Sequence, residues 1–569
     1  MSNSGVMIRY GDVAPEAKEN FTPDASESQF GESYKTQLQQ YNLEFPNYGN
    51  PCELYSVALD GNAVAFPSTP EDKNLGLWSE QISDENGEFA KPLVLRLTSE
   101  GQYSSQGLTF TFDTYNNIYA TKITIDWWRD AEGTLTHLAE QTFTPNSATY
   151  FCRNRVDNYN RVVITFYSIN MPNNRLKLRV IDYGYGTFFR GDELRNVKLI
   201  QEIDPISTQI SINTADFTLD SKSDTEYSFQ AKQPLNIYFN DKLKATIFVR
   251  SSKRKSKFLW QIQGEDYIGV LDNIQYHGGI YTNASAIDVL ADIFATAKVP
   301  FSIDGSFADS TITGYIPYTS CRNALMQIAF AIQAVVDTSD SDVVKMFSLG
   351  DAVSQTIPLN RIMQGQNFAD DETVTGIEVT IHTYKAITDT INVYDATQSG
   401  AGQNIFVKFS EPLHDLSITN GTFAVDENGV ELKHANYAVI NANEGCILRG
   451  QKYEHTTQVR RKNNPVISAS EIEKIVAIES ATLVSANNID NIIEKCYNYI
   501  VATNQVNLRI VEGKHIIGDE MVYDQPVNVG DLIEAETEYL GNVTGRAISQ
   551  TFNLNGGIII KDTVMKGVI

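Results

Sequence analysis

Between about residues 90 and 185, apolar and polar positions alternate with a period of two. Leu108, Phe110 and Phe112 are interleaved with Thr109 and Thr111, and Ile123, Ile125 and Trp127 with Lys122, Thr124 and Asp126. Leu176, Leu178 and Val180 are interleaved with Lys177 and Arg179. Successive side chains of a strand point to opposite faces, so each run predicts a strand with one buried face. Asn-, Gly- and Asp-rich turns between the runs predict a two-sheet antiparallel sandwich, jelly-roll-like, over residues 81–186. The alternation resumes from about 190 to 280. Leu235, Ile237 and Phe239 precede Asn240-Asp241, and Leu243, Ala245, Ile247 and Val249 follow, which is a hairpin pattern. A turn at Ser251–Lys257 then leads to Phe258, Trp260 and Ile262.

Helical periodicity occurs in three places. Around 284–298, Ile287, Leu290, Ala291 and Phe294 make one stripe, ended by Pro300. Around 321–334, Leu325, Ile328, Ala329 and Ile332 share a face, with Ser320 as N-cap. Around 487–501, Ile489, Ile492, Ile493, Cys496 and Ile500 do the same. Short strand-like runs at Ser310–Pro317 and Val335–Phe347 complete a small α+β unit. From about 350 the pattern is β-rich again, with strands at Asn507–Val511 and Gly530–Leu540. Residues 1–80 are polar and weakly periodic. Gly11-Asp12 and Phe45–Pro51 read as parts of an arm packed on the sandwich. The predicted fold class is mainly β with α+β parts.

Composition narrows the function. A chain of 569 residues holds three or four domains at roughly 150 residues each. With 42% hydrophobic and 10% aromatic residues it can bury several cores, which excludes wholesale disorder. Asp and Glu number 70 against 45 Lys and Arg, for a net charge of −25. Such a surface repels phosphate backbones and anionic membranes, so no sequence-specific nucleic-acid binding is expected. The longest apolar run, Asn323–Val336, is 14 residues and too short to span a bilayer, so no stable membrane insertion is expected. Cys52, Cys152, Cys321, Cys446 and Cys496 show neither CxxC nor zinc spacing and fit a reducing cytoplasm. The N-terminus lacks the basic and apolar segments of a signal peptide.

Signatures of catalysis are missing. HExxH, GxSxG, P-loop and GxGxxG patterns do not occur, and the seven histidines are scattered. Cys321 stands at a predicted helix start, where a thiol can be activated, although its flanks read as a small buried residue. Cys446 lies between His434 and His455 only in sequence. Asp337, Asp340 and Asp342 resemble part of a calcium loop without its Gly or distal Glu, and read as a solvated turn. No enzyme, cofactor or metal is expected.

Three surface features remain. Trp127 is in phase with the core, whereas Trp128 is in phase with Lys122, Thr124 and Asp126 and should face outward. There it can stack on a sugar ring, or be covered by the arm or a neighbouring chain. Lys253, Arg254 and Lys255 form a basic turn, either a solvated hairpin tip or an inter-subunit contact with an acidic face. Glu534, Glu536 and Glu538 fall on one strand face, with Ile533, Ala535 and Tyr539 on the other. They face solvent or line the lumen of a channel.

Four stretches follow one another over roughly two-thirds of the chain: QGEDYIGVLD (Gln263–Asp272), HGGIY (His277–Tyr281), GYIPYTSCRNALMQIAFAIQAVVDTS (Gly314–Ser339) and GDLIEAETEYLGNVTGRAISQTFNLNGG (Gly530–Gly557). In these the chain resembles the tail-hub family of bacteriophages and phage-like contractile injectors. The resemblance implies a first hub barrel at 187–280, an α+β domain at 281–348 and a second barrel-like region at 349–569. It implies a homotrimer forming a six-part ring under the tail tube, without catalysis by the hub core. Implied partners are the distal tail protein, the tail tube, the tape-measure protein, and a central fibre, spike or receptor-binding protein. The implied location is the virion tail tip, after assembly in the host cytoplasm. The chain ends soon after the last motif, so no hydrolase or receptor-binding extension is expected. The sandwich is similar to a galactose-binding jelly roll, a likeness of fold that does not carry function.

Overall fold

The computed structural model describes residues 5–13, 17, 20–23, 77–79, 81–113, 116–131, 133–220, 234–239, 242–364, 367–370, 374–426, 429–465, 473–501, 504–512, 514–517, 520–523, 525–539, 541–555 and 558–567. Most of the expected arm, including Phe45–Pro51 and Cys52, lies outside them. The architecture is mainly β with a few helices, and it divides into two compact units, one of them Arg9–Phe189.

In that unit seven strands share one antiparallel sheet. Its order is Leu77–Trp78, Lys177–Asp182, Glu88–Phe112, Thr149–Ile169, Ala120–Ala131 and Thr134–Phe143, with Thr22–Pro23 also against Glu88–Phe112. Hydrogen bonding is continuous because the long strands bend at bulges instead of breaking into separate ones. Register shifts between Thr98 and Gly107 reset the parity of Glu88–Phe112. Leu93, Leu95 and Leu97 before the bend, and Leu108, Phe110 and Phe112 after it, therefore enter the same core. Ile123, Ile125 and Trp127 complete that core, as their alternation predicts.

Three polar members of the alternation are buried against expectation; one is Thr124, whose hydroxyl lies 2.8 Å from that of Thr142. Thr109 is buried and donates its hydroxyl to the Gly184 carbonyl at 2.7 Å. Lys177, expected outside, is buried, with its Nζ 3.2 Å from Asp113 Oδ2. Strands lie on both sides of Lys177–Asp182, and a buried ammonium requires such a partner.

The second unit is built on a larger sheet. Leu194–Glu202, Thr214–Asp220, Leu259–Glu265, Lys242–Arg254 and Pro234–Phe239 are neighbours in that order. On the other side Leu194–Glu202 pairs with Gly541–Asn555, which continues into Ile558–Gly567, Asn504–Glu512 and Asn367–Asp370. Leu199 opposite Phe552 marks the junction, so the two β-regions share one hydrogen-bonded sheet. Leu532–Thr537 and Gln355–Ile357 branch from Gly541–Asn555. The predicted hairpin is present, with Phe239 opposite Lys242. A bulge after Ile237 leaves Leu243 half-buried and buries Lys244, which pairs with Asp340 at 2.7 Å.

The α+β body holds the helices Tyr267–Asp272, Ala286–Ala297 and Cys321–Ile332. Ser320 caps the third by accepting from Asn323 N at 3.2 Å, as expected. In the second, the buried stripe is Ala286, Val289, Leu290, Ile293, Phe294 and Ala297. Ala291, expected on it, is exposed. The helix stops at Lys298 with φ 53°, two residues before Pro300. A later helix, Ile489–Val501, buries Ile489, Ile492, Ile493 and Cys496 against Ile377 and Val379. Those two belong to Gly376–Asp395, the partner of the 27-residue strand Tyr437–Asn463 in a five-stranded sheet.

Candidate functional site

The stretches that carry the family resemblance have specific structural duties. Gly278 of HGGIY has φ +62°, and a Cβ there would meet the Ile316 carbonyl oxygen at 2.2 Å. Asn436 Nδ2 ties this turn together by donating to the carbonyls of His277 and Ile316, at 2.7 and 3.0 Å. Gly314 opens the next stretch with φ +140°, and its Cβ would lie 2.3 Å from Thr482 O. Only glycine lets these backbones approach so closely. In QGEDYIGVLD, Asp266 caps the first helix and is buried. It accepts from Ile268 N, Gly269 N, Asn213 N and Thr338 Oγ1. Burial pushes its carboxyl up to about 7 despite these four donors.

Cys321 is the first helical residue, as predicted, but it is fully buried and burial pushes its thiol up to about 11. It is a core residue rather than a thiolate nucleophile. The acidic turn differs from the solvated loop expected. Asp337 is buried, accepts from Ser339 N at 2.8 Å and lies 3.4 Å from Lys345 Nζ. Asp340 and Asp342 are exposed.

Of the surface features, the basic one begins later than predicted. Lys253 and Arg254 are still in a strand, opposite Gln261 and Trp260, and the tip follows them. The Arg254 guanidinium sits 5.2 Å from the Trp260 ring centre and donates to the carbonyls of Ser256 and Lys257, which stiffens the tip. Lys253, Arg254, Lys255 and Lys257 are all exposed.

The acidic strand is Leu532–Thr537, so Glu534 and Glu536 lie on its outer face and Glu538 lies beyond its end. Tyr539, expected on the apolar face, is 74% exposed for the same reason. Glu534 accepts from Thr356 Oγ1 and Asn542 Nδ2, at 3.2 and 3.0 Å. Glu536 accepts from Leu359 N at 3.2 Å. Both carboxylates hold the 356–359 segment beside the strand, a local duty that alternation alone does not reveal.

Trp128 lies in Ala120–Ala131, half-buried, between Arg161 on one neighbouring strand and His137 on the other. Its ring meets the His137 ring edge-on, with centres 4.7 Å apart. A register shift sits between Trp127 and Trp128, so Trp127 faces Ala139 whereas Trp128 faces His137. Asp126 faces Glu140 one rung away. Burial raises the Asp126 carboxyl above its ordinary value, the Glu140 charge adds to this, and His137 opposes it.

Sequence reasoning missed two contacts between histidines. His382 Nδ1 and His455 Nε2 are 3.0 Å apart across Gly376–Asp395 and Tyr437–Asn463. Burial lowers the His382 pKa, and the neighbouring His455 adds to this. His277 stacks on His434 at 4.7 Å and lies 2.9 Å from Asp292, which also accepts from Tyr276. Neither pair is close in sequence, so spacing could not have found them.

No family model matches the sequence, and no curated protein matches it. Among solved structures the chain is similar to the tail protein from Neisseria meningitidis MC58, at 10% identity and a TM-score of 0.40. That match covers 67% of this chain and 94% of the other. It is also similar to the 43 kDa tail protein of prophage MuSo2 from Shewanella oneidensis, at 6% identity and a TM-score of 0.40. Coverage there is 66% of this chain and 94% of the other. A third is prophage tail protein gp18 from Listeria monocytogenes EGD-e, at 10% identity, a TM-score of 0.35, and 67% and 91% coverage. Likenesses at these scores are loose and assign neither fold nor function to this chain.

Proposed function

We propose that the chain is a structural component of a phage-type tail, a homotrimeric hub at its distal end. In that place it joins the tail tube and distal tail ring to a central fibre or spike and surrounds part of the DNA path. The observation that carries this reading is the run of hub-like motifs from Gln263 to Gly557. Its support is that these motifs include positions under tight steric constraint, Gly278 and Gly314, and the capped start of the Cys321–Ile332 helix. The basic tip at Lys253, Arg254 and Lys255 is the surface we assign to contact with an acidic neighbouring copy.

Glu534, Glu536 and Glu538 are assigned to the lumen. The Debye length is about 8 Å at physiological salt, so carboxylates there repel a phosphate backbone only at close range. That is enough to keep DNA from adhering. Charge reversal would also break the bonds to Thr356, Asn542 and Leu359, so the discriminating variant replaces all three by Gln, which keeps the acceptors. Particles carrying it are expected to assemble normally and deliver their genome more slowly. Delivery at the normal rate would move the strand face to the outside of the ring.

A second reading, favoured by the half-exposed indole between Arg161 and His137, is an adhesin that binds host-surface carbohydrate through Trp128. On that reading a glycan array shows binding by the native chain that Trp128→Ala abolishes. A blank array at high protein concentration removes it and leaves the sandwich a structural part.

A further inference from the structure

We propose that Asp126, His137 and Glu140 form a binding site for one divalent first-row transition-metal ion on the outer face of the sheet. The site goes beyond the tail role and does not depend on it. His137 and Glu140 are three residues apart, so an unbroken strand would point them to opposite faces. The register shift opposite Trp127 and Trp128 removes that difference: Leu138 becomes the extra residue, and His137 is set against Trp128 while Glu140 is set against Asp126. Bulges re-aim side chains in this way. The result is one imidazole nitrogen and two carboxylate oxygens, all within 4.8 Å of one another. His137 Nε2 and Asp126 Oδ1 are already 3.6 Å apart. Ligands at about 2.0–2.2 Å in a tetrahedral site lie roughly 3.4 Å from each other, so small side-chain rotations close the set.

The donor chemistry selects the ion. An imidazole with two carboxylates suits zinc, nickel or copper, whereas calcium and magnesium take oxygen ligands only. Charge argues the same way. Asp126 and Glu140 are directly opposite across one rung, an arrangement of like charges that disfavours the pairing. A bound dication turns that repulsion into two ligand bonds. Three protein ligands leave a fourth position for water or another ligand.

The test uses the full chain, stripped of metal, and zinc chloride as the titrant, followed by calorimetry. One equivalent is expected to bind, and His137→Ala and Asp126→Asn should each weaken it at least about tenfold, the loss already seen when an outer-shell partner is removed. Glu140→Gln, at an exposed position, serves as a third variant that cannot act by unfolding the sheet. Copper(II) gives a local readout, because it should quench a tryptophan signal that disappears in Trp128→Phe. Zinc binding unchanged in His137→Ala and Glu140→Gln, or no zinc binding by the folded native chain at millimolar metal, would overturn the site.

Discussion

Lys177→Met is expected to destabilise the Arg9–Phe189 unit by about 3–5 kcal/mol, the range seen when one partner of a buried ion pair is removed. The lysine and Asp113 side chains are 3% and 0% exposed, and their charged atoms are 3.2 Å apart. Methionine fills nearly the same volume, so packing changes little. The loss arises because the buried Asp113 carboxylate, which also accepts from Asn116 N and Nδ2 at 3.0 and 2.9 Å, loses the ammonium beside it. Removing both charges together, in Lys177→Met with Asp113→Leu, should recover part of the loss, since neither charge is then buried. Denaturant unfolding of the full chain, with hydrogen exchange to locate the affected strands, checks this. A Lys177→Met chain as stable as the native one would show that Asp113 does not depend on the lysine.

The second large effect is at the HGGIY turn. Gly278→Ala combines a left-handed φ of +62° with a Cβ placed 2.2 Å from Ile316 O and 2.6 Å from Pro317 O. Strain and overpacking together are expected to cost about 2–5 kcal/mol. The damage should spread from the turn to the α+β body, because Asn436 bonds on both sides of it. Gly305→Ala is the control: nothing lies within 4 Å of its added Cβ, so stability should hold or rise slightly. Thermal melts of the two variants separate steric exclusion at the motif from a general intolerance of glycine replacement.

Much of the fold was legible because alternation and helical spacing report burial directly. Leu108, Phe110 and Phe112, the Ile123–Trp127 run and the Ile489–Cys496 stripe all lie where their periods place them. What periodicity cannot report is a bulge. One after Ile237 put Lys244 inside, and those between Thr98 and Gly107 turned a long strand back into its own core. Nor does a single residue's polarity reveal a partner that is distant in sequence. Lys177 reads as an outer position until Asp113, 64 residues earlier, is seen beside it.

The candidate sites divide along the same line. Trp127 and Trp128 were separable by phase, and the basic and acidic runs were visible as charge. The bonds that hold Glu534 and Glu536 to the 356–359 segment, and the convergence of His137 with Asp126 and Glu140, depend on register between strands. Register is set by tertiary packing and turn geometry, so one sequence carries it only implicitly.

The central claim is that three copies of this chain close a ring at the tail's distal end. Counting copies per intact particle, by quantitative mass spectrometry against the major tail-tube protein, tests it most directly. Three copies per particle is the predicted result. Six copies, the count of a distal ring, or absence from purified particles would contradict it.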